Sequence, residues 1–335
     1  MSKYHKIISA FAILILGLLW TSCEKEVAEA NVKREKTVTF ILSADIPGKQ
    51  YFQLAEEYFR KHPEGATDIV TSECRSIACV IDYLNEYGGE DHWAKVNLVA
   101  HGNSKTGLNL YLSDGGHKAT PKRMVQEVAL NNLPSLSSRS VDSSTIIDVM
   151  ACGIGTNPMI ALSMKSVFKT DGLSWPTVNC SDKFVVFRTD TNGVVQKVEA
   201  QYWPYYYKRG YRPSVSEIDD VMNERYPKDS VLWDGLLSNP TDDDMTMEYH
   251  IPISYTQLYE KKSDRPTFTN QQSKEQWAKS QRSIAEKLVE INMDFEQFHW
   301  RVDKRIIKDA DGKYQYAVKA IGMTTSICFL KVLDS

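Results

Sequence analysis

Apolar and polar positions divide this chain into a leading apolar block, a short polar stretch, a regular succession of strand-like and helix-like runs to about residue 202, and a remainder of different texture. Lys36–Asp45 is rich in β-branched and apolar residues and reads as a buried strand. Residues 48–62 place Phe52, Ala55, Tyr58 and Phe59 at helical spacing, and Pro63 ends the run. Thr67–Thr71 is a second strand. Ser72–Tyr87 is a second amphipathic helix closed by Gly88 and Gly89, and Lys95–Ala100 is a third strand. Leu108–Leu112 forms a small hairpin arm. Thr120 caps a third helix that begins at Pro121 and runs to Asn131. After a Ser-rich loop (residues 134–144), Thr145–Ala151 is a fourth strand and Pro158–Phe168 a fourth helix. Thr177–Arg188 and Val194–Tyr202 read as strands around a turn at 190–193.

Strands and helices alternating at these lengths predict an α/β fold, a mostly parallel sheet covered on both faces. Beyond Tyr202 the pattern changes. The aromatic run 202–207 predicts packing of a second region against the first. A helix is expected at Val215–Arg225, a long helical stretch at Ser273–Trp300, and a hairpin over 301–333 turning at Asp311-Gly312. The expected organisation is an N-terminal segment 1–22, a tether 23–35, an α/β domain 36–202, and a C-terminal mixed α+β region 203–335.

The leading block has the form of an export signal. Lys3 and Lys6 precede an apolar run from Ile7 to Trp20, and Thr21-Ser22-Cys23 leads into the polar Glu24-Lys25-Glu26. The run is shorter than the roughly 20 residues a spanning helix needs. The segment resembles a bacterial lipoprotein signal, with Trp20 where an aliphatic residue is usual. That resemblance implies lipidation at Cys23 and a protein anchored to the cell envelope. Residues 24–36 are too polar to fold alone and read as a tether.

Composition adds exclusions. With 42% hydrophobic, 25% charged and a net charge of -3, the chain is globular and carries no basic excess, so nucleic acid is not an expected partner. Of the 6 cysteines, Cys74, Cys79, Cys152, Cys180 and Cys328 follow the anchor. An odd number leaves at least one thiol unpaired. Cys74 and Cys79 fall within the expected second helix at positions that do not share a face, which argues against a local disulfide. Cys74, Cys79, Cys180 and Cys328 read as small buried hydrophobes. No cysteine or histidine cluster has zinc spacing, so neither a metal nor another cofactor is expected.

Two strand ends carry chemistry. Val96–Gly102 puts His101 at the end of one strand, and Ile146–Gly153 puts Cys152 at the end of another, each followed by glycine. In an open α/β sheet, ligand sites form outside the carboxyl ends of the strands. A cysteine there, ahead of a helix N-terminus, is favoured as thiolate, and an imidazole nearby can take its proton. The N–H groups of Gly102 and Cys152 are candidate oxyanion donors.

A hydrophobic strand ending in His-Gly, followed by one ending in Ala-Cys, resembles the caspase-fold (clan CD) cysteine peptidases, which include clostripain, gingipains, legumain and caspases. The likeness covers roughly residues 36–200. It implies a caspase-like three-layer αβα sandwich and hydrolysis of a peptide or protein substrate through a thioester. His101 would be the acid/base and Cys152 the nucleophile. Members that read a basic or Asn side chain carry an acid just before Ala-Cys, where this chain has Met150; a second acid in the clostripain-like group corresponds in place to Asp182. Two other readings stay open: a lipid-anchored binding or scaffold module on an inactive peptidase fold, and an α/β-hydrolase-type esterase. The bulky Met150 and Ile154 around Cys152 disfavour the hydrolase elbow. Asp148 reads as structural, His92 and His117 as solvated, and Arg139 as a solvated loop residue or a self-processing site.

Overall fold

The computed structural model describes residues 36–333, except 90–91, 173, 230, 242–243 and 309–311. The export signal, Cys23, the tether and Asp311 lie outside the described residues. Among those described, no helix is long and apolar enough to cross a membrane.

Five strands form a parallel sheet: β1 (Lys36–Ile41), β2 (Thr67–Thr71), β3 (Trp93–Val99), β6 (Ile146–Met150) and β7 (Thr177–Cys180), in the order β2-β1-β3-β6-β7. Two short strands, β4 (Gly102–Asn103) and β5 (Gly107–Leu108), make a small antiparallel arm after β3. Strand alternation sends successive side chains to opposite faces. Val38, Phe40, Val96, Leu98, Ile147 and Val149 face a core shared with α2 (Ile77–Gly88), α3 (Pro121–Ala129) and α4 (Pro158–Val167). Ile41, Val99 and Met150 face the other way, onto α1 (Tyr51–Lys61) through Phe52, Ala55 and Phe59. A fully buried side chain such as Phe59 contributes roughly 1.5–3 kcal/mol.

The second layer of that face is not only helical. A hairpin of β8 (Phe184–Thr189) and β9 (Val195–Lys208) lays Val185 and Phe187 on α1. It continues into an antiparallel sheet with β10 (Asp244–Tyr259), β11 (His299–Lys308) and β12 (Tyr314–Val332). β12 keeps β10 on one side throughout; its other neighbour is β11 up to Met323 and β9 from Thr324. Helices α5 (Val215–Arg225) and α6 (Trp233–Ser238) cover Trp203, Tyr205 and Phe329. Helices α7 (Gln271–Lys279) and α8 (Arg282–Glu290) share a core with Trp300 and Val318.

The parallel sheet and the α5 helix match expectation. Elsewhere the structure differs. The run 177–188 is not one strand: the chain leaves the parallel sheet at Cys180 and enters the antiparallel one at Phe184. The stretch 273–300 is not one helix. Ser280 ends α7, Gln281 precedes α8, and Trp300 already belongs to β11. A shared apolar stripe spans both helices, so periodicity alone does not reveal the break.

Cys74 and Cys79 are disulfide-bonded, against the sequence expectation. The helix begins at Ile77, with the Ser76 hydroxyl accepting from the Cys79 N–H. Cys74 therefore lies in the preceding loop, where helical spacing does not apply, and its Cα comes within 5.4 Å of that of Cys79. Cys152, Cys180 and Cys328 are the free thiols among the described residues. Cys328 is buried and Cys180 half-buried. His92 is not simply solvated: its Nδ1 lies 3.0 Å from an Asp142 carboxylate oxygen. Asp148 has a structural role, accepting from Asn179 at 2.9 Å and pairing with Lys95 at 3.5 Å.

Candidate active site

The carboxyl ends of β1, β3, β6 and β7 bring Asp45, His101, Cys152 and the segment 181–183 to one edge of the sheet. Val99 pairs with Met150, and the Ala100 N–H reaches the Met150 carbonyl at 3.3 Å. The ladder ends there, and His101 and Cys152 each lie two residues beyond it, in the segments that follow β3 and β6. Val99 and Met150 face α1 and the β8–β9 hairpin, whereas beyond the strands His101 is exposed and Cys152 is buried against the antiparallel sheet. No hydrogen bond joins His101 and Cys152 among the described residues.

The imidazole of the exposed His101 lies beside two aromatic rings of α1. Its centroid lies 4.6 Å from that of Phe52 and 5.0 Å from that of Tyr51, at the start of α1. Burial pushes the His101 pKa down, and the negative charge of Asp45 partly opposes this. Asp45 is held in place because its two carboxylate oxygens accept from the Phe52 and Gln53 N–H groups at 3.1 and 2.9 Å. It caps α1 across a loop, a role its neighbour Gln50 does not fill.

Cys152 is 6% exposed. It packs with Phe184, Ala200 and Cys328 of the antiparallel sheet. Burial pushes its thiol up to about 12, against the favourable pull of the Val185 N–H and its own N–H. The expected help from a helix N-terminus is lacking. A 3-10 turn, Ile154–Thr156, intervenes, and α4 starts only at Pro158. The turn after the sulfur is tightly built. Gly153 has φ 63, and any Cβ there would overlap the Tyr202 hydroxyl, which itself donates to the Gly153 carbonyl at 3.2 Å. Tyr202 also lies 3.0 Å from the Thr156 hydroxyl, so it straps the Cys-Gly turn from β9.

The candidate oxyanion donors differ. Gly102 pairs with Leu108, and the adjoining bond runs from the Asn109 N–H to the His101 carbonyl at 2.8 Å. That places Gly102 in a non-hydrogen-bonded pair, with its N–H directed away from β5. A Cβ at Gly102 would fall 2.9 Å from Ile154, so only glycine lets the two strand-end turns approach this closely. The Gly153 N–H is committed to the Lys183 carbonyl at 2.9 Å.

The two pocket residues read from the sequence part company. Met150 is 6% exposed within the α1 core. Asp182 has a side chain 66% exposed, 3.9 Å from Lys183. Its segment packs on the cysteine turn, where the Gly155 N–H donates to the Ser181 carbonyl at 2.8 Å. Sequence reasoning passed over Asp45, Tyr51, Phe52 and Tyr202. Asp45 was read as strand, yet β1 ends at Ile41, and the strand-end rule would have flagged it. Tyr202 opens the aromatic run, but nothing in the run says which ring meets the cysteine turn.

No protein-family model, no curated protein and no solved structure matches this chain.

Proposed function

We propose that the protein is a caspase-like cysteine endopeptidase, exported and lipid-anchored through Cys23, with Cys152 as nucleophile and His101 as acid/base. The observation that supports this reading is the β3–β6 register, in which Val99 pairs with Met150, so that His101 and Cys152 each follow the carboxyl end of one of two adjacent parallel strands. The Cys74–Cys79 disulfide supports an oxidising compartment.

In this mechanism a substrate carbonyl enters beside Gly102. The neutral imidazole takes the thiol proton as the sulfur attacks. The oxyanion is held by the Gly102 and Cys152 N–H groups. Imidazolium then protonates the leaving amine, giving the thioester, and water hydrolyses it with His101 again as base. Burial of the Cys152 thiol favours this general-base route over a preformed ion pair, because it disfavours the thiolate, and the lowered His101 pKa disfavours the imidazolium. Asp182 is the acid available at the rim for a basic substrate side chain.

A second reading has its own support. The buried sulfur, its high pKa and the Tyr202 strap suit an inactive caspase-fold binding or scaffold module. A peptide-library digest separates the two. The peptidase reading expects defined cleavage products from wild type and none from Cys152→Ala. Identical digests from both proteins would leave the scaffold.

A further inference from the structure

We infer that the Tyr51 hydroxyl is a substrate-binding hydrogen-bond donor of this cleft, a group serving the peptide backbone in addition to the two N–H groups already assigned. The inference rests on the cysteine-peptidase reading and deepens it.

The geometry is specific. Tyr51 opens α1, its ring lies 5.0 Å from the His101 ring with a 33° tilt, and its outer edge meets Phe187 of β8 at 5.5 Å. The hydroxyl is buried and has no hydrogen-bond partner. The ring contact with His101 places it at the candidate site, and Cys152 and Asp45 are the groups whose charge bears on it. Neither is hydrogen-bonded to it among the described residues.

A buried hydroxyl without a partner costs about 1–3 kcal/mol, and phenylalanine would make the same ring contacts without that cost. A backbone carbonyl of a bound peptide, or the oxyanion formed from it, supplies the missing acceptor. The hydroxyl is not needed to hold the fold, since it bonds to nothing in it. It also differs from the Tyr202 hydroxyl, which is occupied by Thr156 and Gly153. Tyr51 therefore combines two roles: its ring desolvates and orients the imidazole, and its oxygen meets the substrate.

The test compares wild type, Tyr51→Phe and Cys152→Ala for cleavage of a peptide found in the library digest, together with iodoacetamide inactivation and thermal melting. We expect Tyr51→Phe to melt at or above wild type. Its kcat/KM should fall by about 10- to 100-fold, the scale of one lost donor to a developing charge. Inactivation by iodoacetamide, which makes no peptide contacts, should stay within about two-fold. Unchanged peptide turnover in a folded Tyr51→Phe would overturn the inference and leave the peptidase reading standing. Wild type that cleaves no better than Cys152→Ala would overturn both. If Tyr51→Phe does not fold, 3-fluorotyrosine at the same position, a stronger donor of nearly the same shape, must change kcat/KM; no change would reject the role.

Discussion

Cys152 is held in the uncharged form by burial, while His101, an exposed residue, is partly desolvated by the rings of Tyr51 and Phe52, and these two settings decide how the site responds to pH. The Cys152 thiol is raised from 9.0 to about 12 and the His101 imidazole is lowered from 6.5. For His101 the unfolded chain takes the proton first, so this group's contribution to stability is lost as pH falls below 6.5. For Cys152 the unfolded chain loses its proton first, so its contribution is present below 9.0 and is lost as pH rises toward about 12. Alkylation of Cys152 in the resting protein should accordingly be slow at neutral pH and keep rising past pH 9 without a plateau, as followed by peptide mapping against time. A plateau near neutrality would mean a preformed thiolate. At this scale the places of His101 and Cys152 after the ends of β3 and β6 were legible, because glycine after a strand-end His or Cys is a local signal. Asp45, Tyr51 and Tyr202 were not, because each acts through a fold-dependent contact: a cap reached across a loop, a ring laid on another strand's end, and a strap from another sheet.

The elements show where local signals suffice and where they mislead. Thr120 and Asn157 each cap a helix whose first residue is proline, as the sequence indicates for the former. Ser76 caps α2 just as plainly, yet the expected helix began at Ser72, and that shift hid the Cys74–Cys79 bond. Closing so short a loop stabilises the fold by roughly 2 kcal/mol on the chain-entropy estimate. Replacing both residues with serine should therefore lower the unfolding free energy by about 2 kcal/mol, measured by denaturant titration. In denaturant without reductant, alkylation should mark Cys152, Cys180 and Cys328 but spare Cys74 and Cys79. Labelling of either member of that pair would refute the bond. The chain's passage between sheets at residues 181–183 was not legible for a different reason. Thr177–Cys180 and Phe184–Thr189 share one β-rich texture, and only hydrogen-bond partners tell a parallel neighbour from an antiparallel one.

At the scale of the molecule, the α/β layering followed from alternation of strands and helices, but the partner of the cysteine face did not. An antiparallel sheet, anchored by Trp203 against Trp233 and by Trp300 over Gly322, presents Phe184, Tyr202 and Cys328 to the turn that carries Cys152. The turn that carries Cys152 is thus packed against the antiparallel sheet, and Cys328 and Leu330 from the C-terminal region help bury the sulfur. The central claim, that His101 and Cys152 act on one substrate, is most directly tested by mass spectrometry of the protein after reaction with a peptidyl acyloxymethyl ketone built on a cleaved sequence. The account predicts one adduct per chain, mapped to Cys152, and its loss in His101→Ala. Adduct on Cys180 or Cys328, or an unchanged rate at Cys152 without the imidazole, would contradict it.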